Sequence, residues 1–247
     1  MSADQRGKFP VMTPEQYIAQ EEELSSNSET RAPIIVCVDC SYSMRQHHRL
    51  EEVMKGLDGF CRDMARDRIA CQSVELCIIS FGGTMARVER DFTAPDRIQL
   101  PQLTAAGETP LADAVMTALE ILERRKELYR DNGNSFYRPW LILIGDGDET
   151  RSSKELSQAA ALLKQESDAK HLSVLCITVG DEDRMSCASL MKLSPDGKVQ
   201  YLRDLKFREF FSWLSRSIQK TSQSMSGEEV HYEPTTTWGK VIDREQR

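Results

Sequence analysis

Short apolar runs rich in β-branched residues alternate along this chain with longer segments whose apolar residues recur at helical spacing. The continuous apolar character of the short runs is typical of strands buried on both faces of a parallel sheet. Regular alternation of such strands with helices favours an α/β domain, with a doubly wound, mostly parallel sheet and helices on both faces. The predicted strands are residues 33–38, 74–81, 140–144, 172–179 and 198–202, and the predicted helices are residues 49–66, 109–128, 153–168, 183–192 and 205–220.

One further strand is predicted to be antiparallel. Gly82-Gly83 predicts a turn into residues 85–92, which we interpret as the hairpin partner of the strand before it and place at one edge of the sheet. A single domain is assigned to residues 32–221.

Polar segments flank this domain on both sides. Residues 1–31 form a polar N-terminal extension in which Thr13-Pro14 predicts the start of a short helix. Residues 222–247 are predicted to be a flexible tail. Within the tail, Trp238 and residues 241–242 are either a small docking segment or simply exposed.

The composition excludes several classes of protein. The net charge of −7 argues against general affinity for nucleic acids. No apolar run reaches the ~18 residues that a membrane-spanning helix needs, and the first residues lack the apolar stretch of a secretory leader. The seven cysteines are an odd number, which without a leader is typical of reduced thiols. We therefore expect a cytoplasmic protein that binds neither nucleic acid nor membranes.

Three polar segments fall where a sheet of this kind places its ligands, at the carboxyl ends of strands. Asp39, Ser41 and Ser43 follow the first strand in a D-x-S-x-S pattern. Thr109 precedes a helix, and Asp146 follows another buried strand. Each segment alone is also typical of a turn or a helix cap. Together their oxygen atoms suit a hard divalent cation, Mg²⁺ or else Mn²⁺ or Ca²⁺.

The charge of this set favours docking over catalysis. Two carboxylates neutralise the cation and three hydroxyls add no charge, so the cation stays incompletely coordinated and electrophilic. Such a cation accepts an acidic group from outside. The residues therefore predict a metal-bridged site for an Asp or Glu of a partner protein.

These segments resemble the von Willebrand factor A (VWA) domain family. The resemblance rests on the stretches PIIVCVDCSYSM, GETPLADAV and LILIGDGDET and covers roughly residues 32–221. It implies a Rossmann-like VWA fold, in which the five oxygen-bearing residues form the family's metal-ion-dependent adhesion site (MIDAS). The stretches look most similar to the bacterial tellurite-resistance, TerY-like branch. That similarity implies a cytoplasmic stress-response or defence setting and a phosphatase- or kinase-like protein as partner.

Some residues depart from the family pattern. Tyr42 stands where the family often has glycine, so we expect its phenol at the rim of the site, where it narrows access or contacts the partner. Gly145 replaces a threonine that often precedes the matching aspartate, which puts a supporting hydroxyl in doubt. His47 and His48 are expected to be exposed at the entry of a helix.

Other metal-binding residue types near these loops are interpreted as structural. Cys37 and Cys40 form a C-x-x-C pair, but no second pair completes a zinc site, and Cys37 is expected in the core of a strand. Asp148 and Glu149 are expected to be rim residues or helix caps rather than ligands.

We therefore expect a metal-dependent interaction adaptor that is not an enzyme. The alternatives are a metal-dependent phosphohydrolase and a degenerate VWA scaffold that binds partners without metal. A hydrolase of this class needs a second acid near the first strand, where Ser41 stands, and neither a G-x-S-x-G elbow nor a glycine-rich nucleotide motif is present.

The tail suggests a regulatory hypothesis. Four of its acidic residues are candidates, and one of them would cap the cation within the same chain or in a neighbouring copy. They are Glu228, Glu229, Glu233 and Asp243.

Overall fold

The described part of this protein contains strands between residues 32 and 243. The structure, a computed structural model, describes residue 9 and residues 13–146, 149, 152–179, 187–202, 206–223 and 239–243. The strands in this part of the chain are β1 (Ala32–Asp39), β2 (Val74–Gly82), β3 (Met85–Thr93), β4 (Trp140–Gly145), β5 (Ser173–Thr178), β6 (Lys198–Leu202) and β7 (Gly239–Asp243).

Helices connect most of these strands. They are α1 (Pro14–Ser26), α2 (Arg49–Arg66), α3 (Arg68–Ser73), α4 (Leu111–Asp131), α5 (Ser153–Asp168), α6 (Ala188–Leu193) and α7 (Phe207–Gln223), and a 3₁₀ segment spans Tyr42–His48. None of the helices in the described ranges combines the length and the apolar character needed to cross a membrane.

All seven strands join one sheet in the order β3-β2-β1-β4-β5-β6-β7. Strand β1 pairs in parallel with both β2 and β4, and β5 and β6 continue the parallel part. Strand β3 is antiparallel to β2, and β7 is antiparallel to β6. The predicted mostly parallel sheet is therefore confirmed, but it has two antiparallel edge strands where we expected one.

Side chains along β1 alternate between two apolar cores, one on each face of the sheet. Ile34, Val36 and Val38 lie in the core that α2, α3 and α7 complete. Ile35 and Cys37 lie in the opposite core, which α4, α5 and α6 complete. Every residue of β1 is buried, as the continuous apolar run predicts for a central strand. Cys37 is a core residue, as expected.

The N-terminal extension is attached to the domain through the end of α1. Leu24 is buried, and Arg31 donates hydrogen bonds from Nη2 to the carbonyl oxygens of Glu23 and Asn27 at 3.4 and 3.3 Å. The amide of Asn134 donates to the carbonyl oxygen of Leu24 at 2.9 Å. The predicted short helix is therefore present, and it packs against the domain.

The C-terminal region differs from the prediction of a flexible tail over residues 222–247. Residues 222–223 belong to α7, and residues 239–243 pair with β6 as an edge strand. Ile242 is buried against the core while Val241 is exposed. Backbone pairing with β6 orders a five-residue segment that carries too little apolar pattern to be predicted as a strand. Trp238 and three of the four acidic residues of the regulatory hypothesis, Glu228, Glu229 and Glu233, lie outside the described residues.

Candidate metal centre

The candidate site lies at the carboxyl ends of two neighbouring central strands. Val38 and Ile144 are paired in the β1–β4 ladder, so the next residues, Asp39 and Gly145, end their strands side by side. Asp146 follows at once. The central position of β1 and β4 in the sheet therefore brings two distant carboxylates to one edge, as the position of the motifs predicted.

A chain of hydrogen bonds joins four of the five predicted ligands. The backbone N–H of Ser41 donates to Asp39 Oδ1 at 2.7 Å. The hydroxyl oxygens of Ser41 and Ser43 lie 3.0 Å apart, and Ser43 Oγ donates to Asp146 Oδ1 at 2.6 Å. These contacts gather oxygen atoms from both loops around one point, which is the arrangement that an oxygen-ligated cation requires.

The fifth predicted ligand, Thr109, lies in a loop that is hydrogen-bonded to the D-x-S-x-S loop. Ala106 N donates to the Cys40 carbonyl at 2.7 Å, and Tyr42 N donates to the Gly107 carbonyl at 3.2 Å. Thr109 follows two residues later and is buried. The structure therefore places Thr109 beside the same loop, just before α4 begins.

Glycines permit the close packing of these loops. A Cβ on Gly82 would lie 2.5 Å from the Cys40 carbonyl oxygen. Gly107 has φ +74°, and a Cβ there would lie 2.5 Å from the Cα of Gly83. Real Cβ atoms do not approach neighbours this closely, so side chains at these positions would push the loops apart.

Asp39 has the most unusual environment in the site. Its side chain is fully buried, and its Oδ2 has no hydrogen-bond partner among the residues that the structure describes. Burial raises the pKa of Asp39 to about 7, although hydrogen bonds from Ser41 and from the backbone of Asp146 act in the opposite direction. A buried carboxylate oxygen without a partner is costly, and a bound cation would satisfy it. On this observation the residues present fit a divalent cation.

Arg49 also enters the site, and the sequence analysis missed it. Its Nη1 donates to Asp146 Oδ2 in an ion pair whose side chains are 9% and 0% exposed. Both oxygens of Asp146 are therefore engaged, one by Ser43 and the other by Arg49. One sequence signal was present: Arg49 is the first residue of α2, where the helix dipole disfavours a basic side chain.

Glu149 supports the site without joining the hydrogen-bond chain described above. Its Oε2 accepts a hydrogen bond from the backbone N–H of Ala112 at 2.7 Å, in the first turn of α4. The start of α4 is thereby linked to the loop after β4, as expected of a capping residue. Asp148 lies outside the described residues.

The rim of the site carries Tyr42 and Arg45. Tyr42 is 65% exposed, as expected, and the guanidinium of Arg45 lies 4.6 Å from the centroid of its ring. Arg45 also donates from Nε to the Ala105 carbonyl at 2.8 Å. A cleft of about 700 Å³ opens beside this rim, lined by Met44, Arg45, His48, Leu50, Glu51, Met54 and residues 101–105.

The two histidines after the D-x-S-x-S loop are exposed, as expected, but their backbone is unusual. His47 and His48 have φ of 52° and 56°, in the left-handed region that non-glycine residues seldom occupy. His48 pairs with Glu51 at 3.2 Å. The segment that joins the D-x-S-x-S loop to α2 is therefore strained.

No group of three or more His, Cys, Asp or Glu side chains gathers at a metal-binding distance anywhere in the described ranges. The candidate site has only two such side chains, and the rest of its donors are hydroxyl oxygens. The chemistry of this donor set is that of a weakly held hard cation.

Comparison with known proteins agrees with this geometry. Residues 34–149 match the family model described as von Willebrand factor type A domain, a range that contains all five predicted ligands and Arg49. No curated protein matches the chain.

Several solved structures share the fold at low sequence identity. The vWF domain of the type V pili tip protein Mfa5 from Porphyromonas gingivalis has 12% identity and a TM-score of 0.58, with 82% of this chain and 99% of that chain covered. The pilus adhesin SpaC from Lactobacillus rhamnosus GG has 13% identity and a TM-score of 0.59, with 79% and 32% covered.

A third similar structure is proximal thread matrix protein 1 from the mussel byssus. It has 16% identity and a TM-score of 0.52, with 77% of this chain and 46% of that chain covered, so this chain spans less than half of the mussel protein. A further structure of that protein, with a TM-score of 0.48, has zinc in its MIDAS motif.

Proposed function

We infer that this chain carries a von Willebrand factor type A domain, on the support of the family match over residues 34–149 and of the fold. We propose that it is a non-catalytic adaptor that binds a partner protein through a divalent cation. The residues that would hold the cation are Asp39, Ser41, Ser43, Thr109 and Asp146.

One observation carries this proposal: the buried Asp39 Oδ2, for which the described part of the chain supplies no partner, at one end of a hydrogen-bond chain that reaches Asp146. A fold stabilises an unsatisfied buried carboxylate oxygen poorly, and such atoms mark functional positions. A bound divalent cation would supply a Lewis-acidic position that accepts a carboxylate oxygen from outside. The serine hydroxyls orient Asp146 through Ser43 without adding charge.

The rim suggests how the partner would lie. An Asp or Glu of the partner would reach the cation, and the residues beside that acid would pass Tyr42 and Arg45. The cleft beside the rim has apolar walls at Met44, Leu50 and Met54, which suit an apolar side chain near the acid. The partner segment is thus an acidic residue with an apolar neighbour.

The oxygen donors favour Mg²⁺ as the cation. The wider setting rests on the motif resemblance, which favours a cytoplasmic location, a bacterial stress-response or tellurite-resistance role and a phosphatase- or kinase-like partner. Purification of the chain from its native host, with and without a chelator, tests this setting by identifying proteins whose retention requires the metal.

The experiment that tests the metal site compares Asp39→Ala with Asp131→Ala, which removes an exposed carboxylate at the end of α4. Calorimetric titration with Mg²⁺ is expected to show binding in the wild type and in Asp131→Ala but none in Asp39→Ala. Saturating Mg²⁺, at ~100 times its dissociation constant, is expected to add about 2.7 kcal/mol to the free energy of unfolding only where it binds.

Partner capture is expected to follow the same pattern. It should require Mg²⁺, fail in Asp39→Ala and persist in Asp131→Ala. Capture that is indifferent to a chelator would contradict the proposal. Phosphatase turnover that is lost in Asp39→Ala would replace it with a hydrolase.

A further inference from the structure

Arg49 places a second, built-in cation on the candidate metal site. Its guanidinium donates to Asp146 Oδ2, while Ser43 donates to the other oxygen of the same carboxylate. Both partners of the ion pair are largely excluded from solvent. Charges in such an environment are weakly screened, so the pair interacts strongly with any ion that arrives.

The charges show what this arrangement does to a metal ion. Asp39 and Asp146 together carry two negative charges when ionised, and Arg49 cancels one of them. A divalent cation that approaches Asp146 therefore meets a carboxylate whose two oxygens already accept hydrogen bonds, and a positive charge beside it. The cation and the guanidinium are competitors for Asp146.

The backbone before Arg49 contains a strained segment that can act as a hinge between Arg49 and the D-x-S-x-S loop. His47 and His48, the two residues that precede Arg49, both have left-handed φ. Such strain is concentrated at switch regions, where a second arrangement of the chain relieves it. A change of conformation at these two residues would move the D-x-S-x-S loop relative to Arg49 while α2 and the sheet stay in place.

We propose that Arg49 is an internal counter-cation that latches the metal-free site, and that entry of the divalent cation displaces its guanidinium from Asp146. This inference rests on the proposed metal-dependent function and deepens it. Arg49 then sets the affinity for the metal. The two carboxylates then neutralise the cation, and the displaced guanidinium remains beside the site as a positive charge that favours an acidic partner.

The test compares substitutions of Arg49 with a matched arginine on the same helix. Arg49→Gln removes the charge, Arg49→Lys keeps it, and Arg66→Gln removes an exposed charge at the other end of α2. Calorimetric titration with Mg²⁺ alone is expected to give a dissociation constant about tenfold or more lower in Arg49→Gln than in the wild type. Arg49→Lys and Arg66→Gln are expected to stay within about threefold of the wild type.

A second measurement follows the wild type during the titration, and a variant serves only to assign one resonance. The Arg49 Nε–H resonance is assigned by its loss in Arg49→Lys and followed by NMR during the Mg²⁺ titration. It is expected to shift as the metal binds. An Arg49 resonance that stays in place while backbone resonances at residues 39–43 shift would overturn the latch.

The outcomes separate the latch from the function beneath it. Binding in the wild type with no gain in Arg49→Gln overturns the latch and leaves the metal-dependent adaptor standing. Binding in Arg49→Gln but not in the wild type supports the latch and removes metal-dependent docking from the native chain. Absence of binding in both folded proteins overturns both.

Discussion

Gly145 shows how one missing side chain shapes the site. It ends β4 directly beside Asp39, and a Cβ at this position would lie 2.9 Å from Asp39 Oδ2 and 3.2 Å from Asp39 Cβ. A threonine at this position would therefore collide with the carboxylate as it is placed in this chain. Glycine leaves room for the Asp39 carboxylate between the ends of β1 and β4.

Gly145→Ala is expected to push the Asp39 carboxylate away and to weaken Mg²⁺ binding about tenfold or more. Crowding of this kind in a well-packed site costs about 1–3 kcal/mol of stability. Calorimetric titration and chemical denaturation measure the two effects. Gly59→Ala is the control, because a Cβ there meets no atom within 4 Å and the residue is remote from the site. Equal Mg²⁺ affinity in both variants would show that Gly145 does not position Asp39.

At this scale the sequence predicts which residues reach the sheet edge better than it predicts what they touch. Asp39 and Asp146 were placed there because each follows a buried strand. The Arg49–Asp146 pair joins residues 97 positions apart and belongs to no motif, so spacing alone does not reveal it. Glu149 was expected as a rim residue or a cap, and the helix that it caps begins at Leu111, in another part of the chain.

Helix α2 owes its position to a close approach against α7. The two helices cover one face of the sheet together, and Gly56 lies where they meet. A Cβ on Gly56 would lie 2.7 Å from Phe211 Cδ2 and 2.8 Å from Phe207 Cβ. Because α2 starts at Arg49, this contact also fixes the element that carries the guanidinium into the site.

Two glycines on α2 are therefore expected to respond in opposite ways to alanine. Gly56→Ala is expected to lower the free energy of unfolding by about 1–3 kcal/mol, because the methyl group would collide with two phenylalanines. Gly59→Ala is expected to raise it by up to about 1 kcal/mol, since it gains helix propensity in open space. Urea denaturation distinguishes them. Stabilisation by both substitutions would contradict the close approach of α2 and α7.

Elements with a strong pattern were predictable, and elements that depend on neighbours were not. Residues 49–66, 153–168 and 198–202 were predicted with the observed bounds. Helix α3 has six residues and the 3₁₀ segment seven, too few for a periodic signal. The observed β7 depends on pairing with β6, which no local pattern encodes.

The candidate site lies at the centre of the sheet, and both edge strands are antiparallel to their neighbours. The candidate metal site lies between β1 and β4, while β3 and β7 close the two edges as antiparallel strands. Parallel strand β6 has only two residue pairs registered with β5, so β7 supplies most of its partners. The C-terminal strand therefore protects the weakest part of the sheet, three strands away from β4.

A chain that ends at residue 238 is expected to keep the site and lose stability. It removes β7 and the buried Ile242, which is worth about 2 kcal/mol, and it exposes the backbone edge of β6 to pairing with other chains. Denaturation and light scattering are expected to show a less stable protein that associates as concentration rises, with unchanged Mg²⁺ affinity.

In the full chain, Ile242→Asp is expected to reproduce the loss of stability and the exposed Val241→Asp is not. Because the shortened chain keeps Glu228, Glu229 and Glu233, a gain in partner binding on truncation would have to come from the removed segment, which contains Asp243, rather than from those three acids. Equal stability of the shortened and full chains would mean that β7 does not hold the edge of the sheet.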